Sequence, residues 1–477
     1  MKTSDLRPAK LWQALVPVVL MIVFLAINII KYQGTPHIPL IGGSVIAALM
    51  GLILGYTWKD IEQGLVSGIV IALQACLILF VIGILIGTWI ISGIVPTMIY
   101  YGLKILSPSI FLLATCLICA LVSLATGSSW STAGTVGVAL IGVGQGLGIP
   151  LPMVAGAIVS GSYFGDKLSP LSDTTNLAPA VAGAELFSHI RHMIYTTGPS
   201  LLISLFLYAL LGLRYSRGDL QQDTITQIFS TLDAQFTIHP LLLLPALLVI
   251  VMVILRIPAL PALLGGAFLG GLFALLFQNI SLGEVMHAAQ SGYVSQSGVA
   301  SVDSLLSRGG LESMLSTVAL IICALAFGGV MENTGMLGVI AGAILKLAKR
   351  TGSLVMSTVL TAMGMNIIAP DQYLAIVVPG RMYRDAYKRA GLKPKNLSRA
   401  LEDGGTLSSA LIPWNTCGAY MWATLGVYPF AYLPFAFLNL LNPAISILWG
   451  FTGVTMERES KVSQTTQNEN AQGNGKE

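Results

Sequence analysis

The chain has 477 residues, of which 55% are hydrophobic and only 10% are charged, whereas a soluble globular domain carries about 25% charged residues. Its formal net charge of +4 is small, which argues against a nucleic-acid-binding surface. This composition excludes a soluble enzyme and indicates an integral membrane protein.

Apolar runs long enough to cross a bilayer begin near the N-terminus and recur along the chain. A hydrocarbon core of about 30 Å needs roughly 20 apolar residues, and Leu11 to Ile30 is the first such run. It lacks a small-residue cleavage pattern and leads directly into a second run, so we interpret it as an uncleaved transmembrane helix. Residues 1–10 carry three basic side chains and are expected in the cytoplasm.

Between about residues 110 and 140, an apolar stretch is interrupted by the polar run TGSSWST, Thr126 to Thr132. Non-helical backbone survives at membrane depth only where protein or a water-filled cavity satisfies its polar groups. We interpret residues 110–140 as a re-entrant hairpin, which enters the membrane and returns to the same face. Its tip supplies candidate substrate ligands, namely Thr126, Ser128 and Ser129.

The next crossing, about residues 153–182, contains GDKLSPLSDTTN between two apolar flanks. An acid at the centre of a spanning helix costs roughly 2.5–3.5 kcal/mol on insertion scales, so the two acids and the lysine here need a compensating role. Pro170 has no N–H and leaves the carbonyl of Asp166 without its helical partner. We therefore predict a broken helix, whose hard oxygen ligands suit Na+ or H+ rather than a soft metal.

Two acids of this crossing, Asp166 and Asp173, are its main candidates for binding Na+ or H+, and Asn176 is a candidate oxygen ligand. The alternative is that one of the two acids only neutralises Lys167. Lys167 itself is expected to be a structural counter-charge, and a role as substrate ligand is its alternative.

Residues 215–239 are polar and are expected to link a first half, residues 11–214, to a second half, residues 240–453. The second half contains the interruption NIIAPDQ in a predicted hairpin of about 353–379, and DGGTLSSALIPWNTCG in a predicted broken helix of about 400–425. The candidate ligands in these two interruptions are Asn366, Asp371, Ser408, Ser409, Asn415 and Thr416.

Two acids of the second half have open roles. Asp371 is either a proton carrier or only the cap of the second arm of its hairpin. Glu332 lies near a helix end in CALAFGGVMENTG and is a weaker candidate for a proton-binding or counter-charge role.

Self-comparison of the chain indicates an internal repeat. A shift of 239 residues aligns Asn176 with Asn415, and a shift of 242 residues aligns Gly93 with Gly335. The loop from Arg381 to Arg399 has seven basic residues and one acid, whereas its counterpart around Ile141 to Pro152 has no charge. Because short cytoplasmic loops collect Lys and Arg, this opposite bias predicts inverted repeats, which are typical of secondary transporters.

The predicted fold is an all-α polytopic membrane protein. It has two inverted-topology repeats, about ten transmembrane helices, two re-entrant hairpins and discontinuous helices at the midplane. Both termini are expected in the cytoplasm, where residues 454–477, rich in Gln, Asn, Thr and Gly, form a disordered tail.

The run GSYFGDKLSPLSDTTNLAPAVAG, Gly161 to Gly183, with TGSSWSTAGTVG upstream, resembles the signature region of the NhaC-type Na+/H+ antiporter family. The resemblance extends over nearly the whole chain except the polar tail. It supports an ion-binding role for Asp166, Ser169, Asp173, Thr174, Thr175 and Asn176. The family is grouped with the ion transporter superfamily, whose dicarboxylate carriers imply a scaffold domain and a moving transport domain. The Ser-Asn-Thr triplets of those carriers are absent from TGSSWST and NIIAPDQ.

The expected function is exchange of Na+ for H+ by competition for shared carboxylates in a bacterial plasma membrane, with Na+ bound at the same site as the proton. The alternative is an organic-anion exchanger of the malate and lactate type, or an amino-acid carrier, within the same family. An intramembrane enzyme is disfavoured, since the sequence has neither an H-E-x-x-H nor a G-x-S-x-G motif. No cofactor is expected beyond the transported ions, and a homodimer is expected only by analogy with related folds.

Overall fold

The computed structural model describes residues 8–215, 220–346 and 348–459, without the side chains of 220–225 and 301. Part of the predicted cytoplasmic N-terminus, part of the linker and most of the predicted disordered tail lie outside these residues. The described residues contain only two isolated β-bridges and no strand, and the chain is built almost entirely of helices.

The helices of the first half and linker are α1 Leu11–Tyr32, α2 His37–Ile53, α3 Trp58–Ile91, α4 Ile94–Ile105, α5 Pro108–Thr126, α6 Ser129–Thr132, α7 Val138–Gly146, α8 Leu151–Leu168, α9 Asp173–Ala182, α10 Leu186–Leu213 and α11 Leu220–Gln235. A π-helical segment, Ala133–Gly137, joins α6 to α7.

The helices of the second half are α12 Leu244–Ile254, α13 Ala259–Phe277, α14 Leu282–Ser291, α15 Ala300–Leu306, α16 Leu315–Asn333, α17 Met336–Leu345, α18 Thr351–Ile368, α19 Gln372–Arg389, α20 Pro394–Leu401, α21 Leu407–Ser409, α22 Thr416–Leu425, α23 Pro429–Tyr432 and α24 Phe437–Thr452. A second π-helical segment, Glu402–Thr406, joins α20 to α21.

Within the described residues, seven helices are long and apolar enough to cross a membrane, and nine spans result if each of two bent helix pairs is counted as one. The sequence predicts about ten crossings because it counts apolar runs. In the structure some of these runs form helices of only 10–17 residues, namely α2 and α17. The protein is therefore a multi-pass, all-helical membrane protein.

Four helix breaks fall within the four polar interruptions. We name them the first break (residues 127–128), the second break (169–172), the third break (369–371) and the fourth break (410–415). Each separates two helices: α5 from α6, α8 from α9, α18 from α19 and α21 from α22. The re-entrant course and the inverted arrangement of the halves stay predictions.

The paired glycines of the repeat adopt the same backbone conformation. Gly93, at the start of α4, has a φ of 79°, and Gly335, at the start of α17, has a φ of 70°. A residue with left-handed backbone conformation before a helix is glycine in most contexts. The need for this conformation explains why glycine occurs at both aligned positions.

Helices α5 and α8 lie in close contact and bring the first two breaks together. A Cβ atom on Gly165 of α8 would lie 2.3 Å from the backbone nitrogen of Leu124 and 2.4 Å from the carbonyl oxygen of Ala120. Small residues let helix backbones approach closely in membranes, where van der Waals packing drives association. Substitution of Gly165 would separate the two helices.

Candidate functional site

The first three breaks, together with Thr416 at the start of α22, line one cavity of about 490 Å³. The opposite wall comes from the middle of α3 and from the turn between α12 and α13, which contributes Arg256. Among the sequence-predicted site residues, the cavity is lined by Thr126, Ser128, Ser129, Asp166, Asp173, Asp371 and Thr416. Both halves of the chain therefore contribute to a single site.

Asp166 lies in the last turn of α8, and only one of its two carboxylate oxygens has hydrogen-bond partners among the described residues. Its Oδ2 atom accepts hydrogen bonds from the backbone N–H of Ser129, at 3.0 Å, and from the Ser129 hydroxyl, at 2.6 Å. Its Oδ1 atom is buried and has no hydrogen-bond partner among the described residues. Since buried polar atoms are nearly always paired, Oδ1 is available for a proton or a cation that enters the cavity.

Asp371, in the third break, is the N-cap of α19. Its Oδ1 atom accepts hydrogen bonds from the backbone N–H groups of Tyr373, at 2.9 Å, and Leu374, at 3.3 Å. Its Oδ2 atom accepts one from the Thr416 hydroxyl at 3.3 Å. Asp371 therefore caps the second arm of its predicted hairpin, which was one of its two predicted roles, and the same carboxylate also lines the cavity.

Asp173 joins the two halves of the chain through Tyr373. The Tyr373 hydroxyl donates a hydrogen bond to Asp173 Oδ2, and both residues line the cavity. The sequence analysis did not identify Tyr373, although it directly follows the interruption NIIAPDQ. Its contact brings the second and third breaks together, 200 residues apart in sequence.

Two other predicted ligands, Thr175 and Asn176, do not line the cavity and bond to backbone carbonyls. Thr175 Oγ1 donates to the carbonyl oxygens of Asp166, at 3.1 Å, and Lys167, at 3.0 Å. Asn176 Nδ2 donates to the carbonyls of Pro170, at 2.9 Å, and Ser172, at 2.6 Å. These side chains satisfy carbonyls that the broken helix leaves free, as membrane depth requires.

Polar side chains at and around the fourth break also form hydrogen bonds with one another and with a backbone carbonyl. Asn366 Nδ2 donates to the Gly405 carbonyl at 2.5 Å and to Ser408 Oγ at 2.9 Å, and Asn415 Nδ2 donates to Asn366 Oδ1 at 3.0 Å. The predicted ligands that do not line the cavity are Ser169, Thr174, Thr175, Asn176, Asn366, Ser408, Ser409 and Asn415.

Lys167 points away from the cavity and forms a buried ion pair with Asp403. Asn442 Oδ1 accepts a second hydrogen bond from its ammonium group at 3.2 Å. The ion-pair partner of Lys167 is thus neither Asp166 nor Asp173, which corrects the alternative that a site acid only neutralises it. Asp403 was not identified from sequence, although a lysine in an apolar segment requires an opposite charge elsewhere in the fold.

Glu332 lies at the C-terminal end of α16 with an exposed side chain and is not part of the cavity wall. The structure therefore places Glu332 away from the candidate site residues that line the cavity. Arg256 lines the cavity, although the sequence analysis did not identify it as a site residue.

Gly127 positions the first break against the second, and Gly127→Ala is expected to disturb the site. Its φ is +70°, and a Cβ atom there would lie 2.7 Å from Leu171 Cβ and 2.9 Å from the backbone nitrogen of Ser172. We expect a lower melting temperature in detergent and at least a tenfold loss of transport, since about 1–3 kcal/mol of strain must be relieved by separating the breaks. Gly338→Ala is the matched control because its Cβ would meet nothing within 4 Å, and equal losses in both variants would contradict this role.

Comparison with known proteins places these observations in a family. A model described as the Na+/H+ antiporter family matches residues 161–454. The malate-2H+/Na+-lactate antiporter of Bacillus subtilis is 43% identical over 408 residues, which cover 86% of this chain and 87% of the relative. The Na+/H+ antiporter NhaC of Alkalihalophilus pseudofirmus is 40% identical over 94% of this chain and 96% of its own. The arginine/ornithine antiporter ArcD of Halobacterium salinarum is 40% identical over 93% and 92%.

Proposed function

Since this chain belongs to the Na+/H+ antiporter family, we propose that it is a secondary active transporter that exchanges Na+ for H+. The observation that carries the proposal is the meeting of three carboxylates from both halves, Asp166, Asp173 and Asp371, on one cavity. The unpartnered Oδ1 atom of Asp166 gives an entering cation a buried acceptor.

Competition for these carboxylates couples the two ions. An ionised Asp166 attracts Na+, whereas a protonated Asp166 offers no charge and releases it. The hydroxyls of Ser128 and Thr416 line the same cavity and supply neutral oxygen ligands of the kind that hard cations prefer. Since the three acids line one cavity, an ion that enters it meets carboxylates from both halves of the chain.

Alternating access follows from the broken helices. Each break lies between helix segments that can tilt as rigid bodies, and transporters with discontinuous helices open a central site to each side in turn. If the site must hold either Na+ or H+ whenever its opening moves from one side of the membrane to the other, the protein exchanges the two ions. We place the protein in a bacterial plasma membrane with both termini in the cytoplasm, and a homodimer is its proposed assembly.

The test of this function uses purified protein in proteoliposomes that contain a pH-sensitive dye. An outward Na+ gradient is expected to acidify the lumen, and reversal of the gradient is expected to reverse the proton movement. Empty liposomes and a K+ gradient of the same size serve as controls. Dye signals equal to those of empty liposomes would contradict Na+/H+ exchange.

The size of the cavity also favours a second candidate function, the exchange of organic anions. A volume of about 490 Å³ falls within the range of about 300–1,000 Å³ typical of small-molecule sites. Arg256 gives the wall a permanent positive charge. A relative is named for malate and lactate exchange, and the same chemistry would suit this cavity.

If an organic anion is carried, Arg256→Gln is expected to raise the KM for malate or lactate by about tenfold or more. The reason is the loss of a charge-assisted hydrogen bond, worth about 1.5–3 kcal/mol. The measurement is Na+ uptake into proteoliposomes over a range of anion concentrations. Arg191→Gln is the control, because Arg191 is exposed and not part of the cavity wall. Na+ flux that is independent of both anions excludes this candidate and leaves simple Na+/H+ exchange.

A further inference from the structure

Four residues that line the cavity carry a buried polar side-chain atom without a hydrogen-bond partner among the described residues: Trp130, Ser131, Asp166 and Gln372. The Trp130 atom is an indole N–H, which can only donate. The other three are oxygens, namely Ser131 Oγ, Asp166 Oδ1 and Gln372 Oε1. Because buried polar atoms are nearly always paired, the presence of three such oxygens around one cavity indicates a ligand.

The three oxygens come from three different helices and are almost completely buried. Ser131 lies in α6, Asp166 in α8 and Gln372 in the first turn of α19, and they are 2%, 4% and 7% exposed. Hydroxyl, carboxylate and amide oxygens are hard ligands. A buried cation has to be paired with an opposite charge, and an ionised Asp166 supplies one. The three oxygens therefore suit a single monovalent cation.

The first break holds Ser131 beside Asp166. Ser129 binds Asp166 Oδ2 through both its backbone N–H and its hydroxyl, which leaves Oδ1 free. Ser131 lies two residues further along α6, and its backbone N–H donates to Ser128 Oγ at 3.1 Å. The cap of this short helix therefore uses the backbone of Ser131 and leaves its hydroxyl for another partner.

The start of α22 holds the third break, which carries Gln372. The Thr416 backbone N–H donates to the Pro370 carbonyl at 3.0 Å, and its hydroxyl donates to Asp371 Oδ2 at 3.3 Å. Gln372 directly follows these two residues. Its position at the cavity is therefore fixed from the second half of the chain.

The same helix, α22, also holds the segment that carries Ser131. One turn beyond Thr416, the Tyr420 hydroxyl donates to the Trp130 carbonyl at 2.7 Å, and the two rings stack with their centroids 4.1 Å apart. Four residues of α-helix rise by about 6 Å. The chain neighbours of Ser131 and Gln372 are thus bound one helical turn apart on one face of α22, which brings both side chains to the same cavity.

We propose that Ser131 Oγ and Gln372 Oε1 bind the transported Na+ together with Asp166 Oδ1. This inference rests on the proposed Na+/H+ exchange and names two further ligands of its cation. Neither was a candidate in the sequence analysis, although Ser131 lies in TGSSWST and Gln372 ends NIIAPDQ. Because neither side chain titrates, both contribute to the affinity for Na+, while Asp166 alone of the three exchanges Na+ for a proton.

The first experiment measures Na+-driven H+ movement in proteoliposomes for Ser131→Ala and Gln372→Met. Each variant removes one oxygen ligand and leaves Asp166 unchanged. We expect the KM for Na+ to rise by about tenfold in each, which corresponds to about 1.4 kcal/mol. The maximal rate at saturating Na+ is expected to stay within about twofold of wild type, because the proton-binding carboxylate is intact.

Ser446→Ala is the matched control for the serine. Its Oγ atom is also buried without a partner among the described residues, but Ser446 lies in α24 and does not line the cavity. Gln63→Met, which alters an exposed glutamine on α3, is the control for the amide. Both controls are expected to keep the KM of the wild type.

The second experiment measures Na+ binding directly by calorimetry. Purified protein in detergent is titrated with NaCl, and choline chloride is the control for ionic strength. We expect the Kd for Na+ to rise by about tenfold in Ser131→Ala and in Gln372→Met. Melting temperatures without Na+ are expected to match that of the wild type, whereas the increase on adding Na+ is expected to be smaller in both variants.

The outcomes separate this inference from the proposed function. A wild-type protein that binds no Na+ contradicts both. A wild-type protein that binds Na+ but moves no H+ contradicts the proposed function alone, and weaker Na+ binding by the variants then still supports the two ligands. Variants with the KM and Kd of the wild type contradict the inference alone. A tenfold lower maximal rate at an unchanged KM also overturns it, since the two residues would then position the breaks without binding Na+.

Discussion

Asp166→Asn is expected to reduce Na+-driven H+ exchange by about a hundredfold or more. Asparagine keeps the shape of the side chain and can still accept the hydrogen bonds of Ser129, so the break retains its geometry. It has no charge to attract Na+ and no titratable proton. The loss of one charged interaction of about 3 kcal/mol corresponds to roughly a hundredfold change. The measurement is initial rate of dye response in proteoliposomes at several Na+ concentrations.

The matched control is Asp385→Asn, which changes an exposed acid on α19 outside the cavity. Its exchange rate is expected to equal that of the wild type. A thermal melt in detergent is expected to show similar melting temperatures for both variants. Normal exchange by a folded Asp166→Asn protein would contradict the assignment of the ion site.

Asp403→Leu is expected to cause the largest loss of stability, about 3–5 kcal/mol, because it leaves Lys167 buried without its ion-pair partner. In the same step Arg399 loses the carboxylate that lies 3.9 Å from its Nε atom. The free energy of unfolding is measured in mixed micelles by titration with a denaturing detergent, and circular dichroism reports the helix content.

A double-mutant cycle distinguishes the ion pair from general damage. Lys167→Met combined with Asp403→Leu is expected to be less destabilised than the sum of the single variants, by about 1–3 kcal/mol, since neither charge is then left unpaired. The pair of Lys395 and Glu457, 2.5 Å apart, provides the contrast, since both side chains are partly accessible to solvent and Glu457→Gln should cost less than about 1 kcal/mol. Additive losses in the cycle would show that Lys167 and Asp403 are not energetically coupled.

The local chemistry of the chain explains why the helix breaks were predictable. Pro170, Pro370 and Pro413 each lie within a break, and a proline removes an N–H and cannot continue a helix without loss. The polar groups around these prolines need hydrogen-bond partners at membrane depth. These effects act over a few residues, so the sequence is sufficient to locate them.

The direction of each polar side chain was not predictable in the same way. Asp166 and Lys167 are neighbours in sequence, yet one lines the cavity and the other pairs with Asp403 on its far side. Asn176 and Asn415 were both candidate ion ligands, but Asn176 bonds to the Pro170 carbonyl of the second break and Asn415 bonds to Asn366 in α18. Only the packing of neighbouring helices decides which face of a broken helix meets the cavity.

The amino-acid sequence alone determined the membrane class, the helical architecture and the positions where helices are interrupted, because hydropathy and proline chemistry act locally. The tertiary structure decided the partners of Lys167 and Asp173 and the place of Arg256 at the cavity. These depend on contacts between segments some 200 residues apart, such as Tyr373 with Asp173, and their energies arise only when burial removes the charges from water.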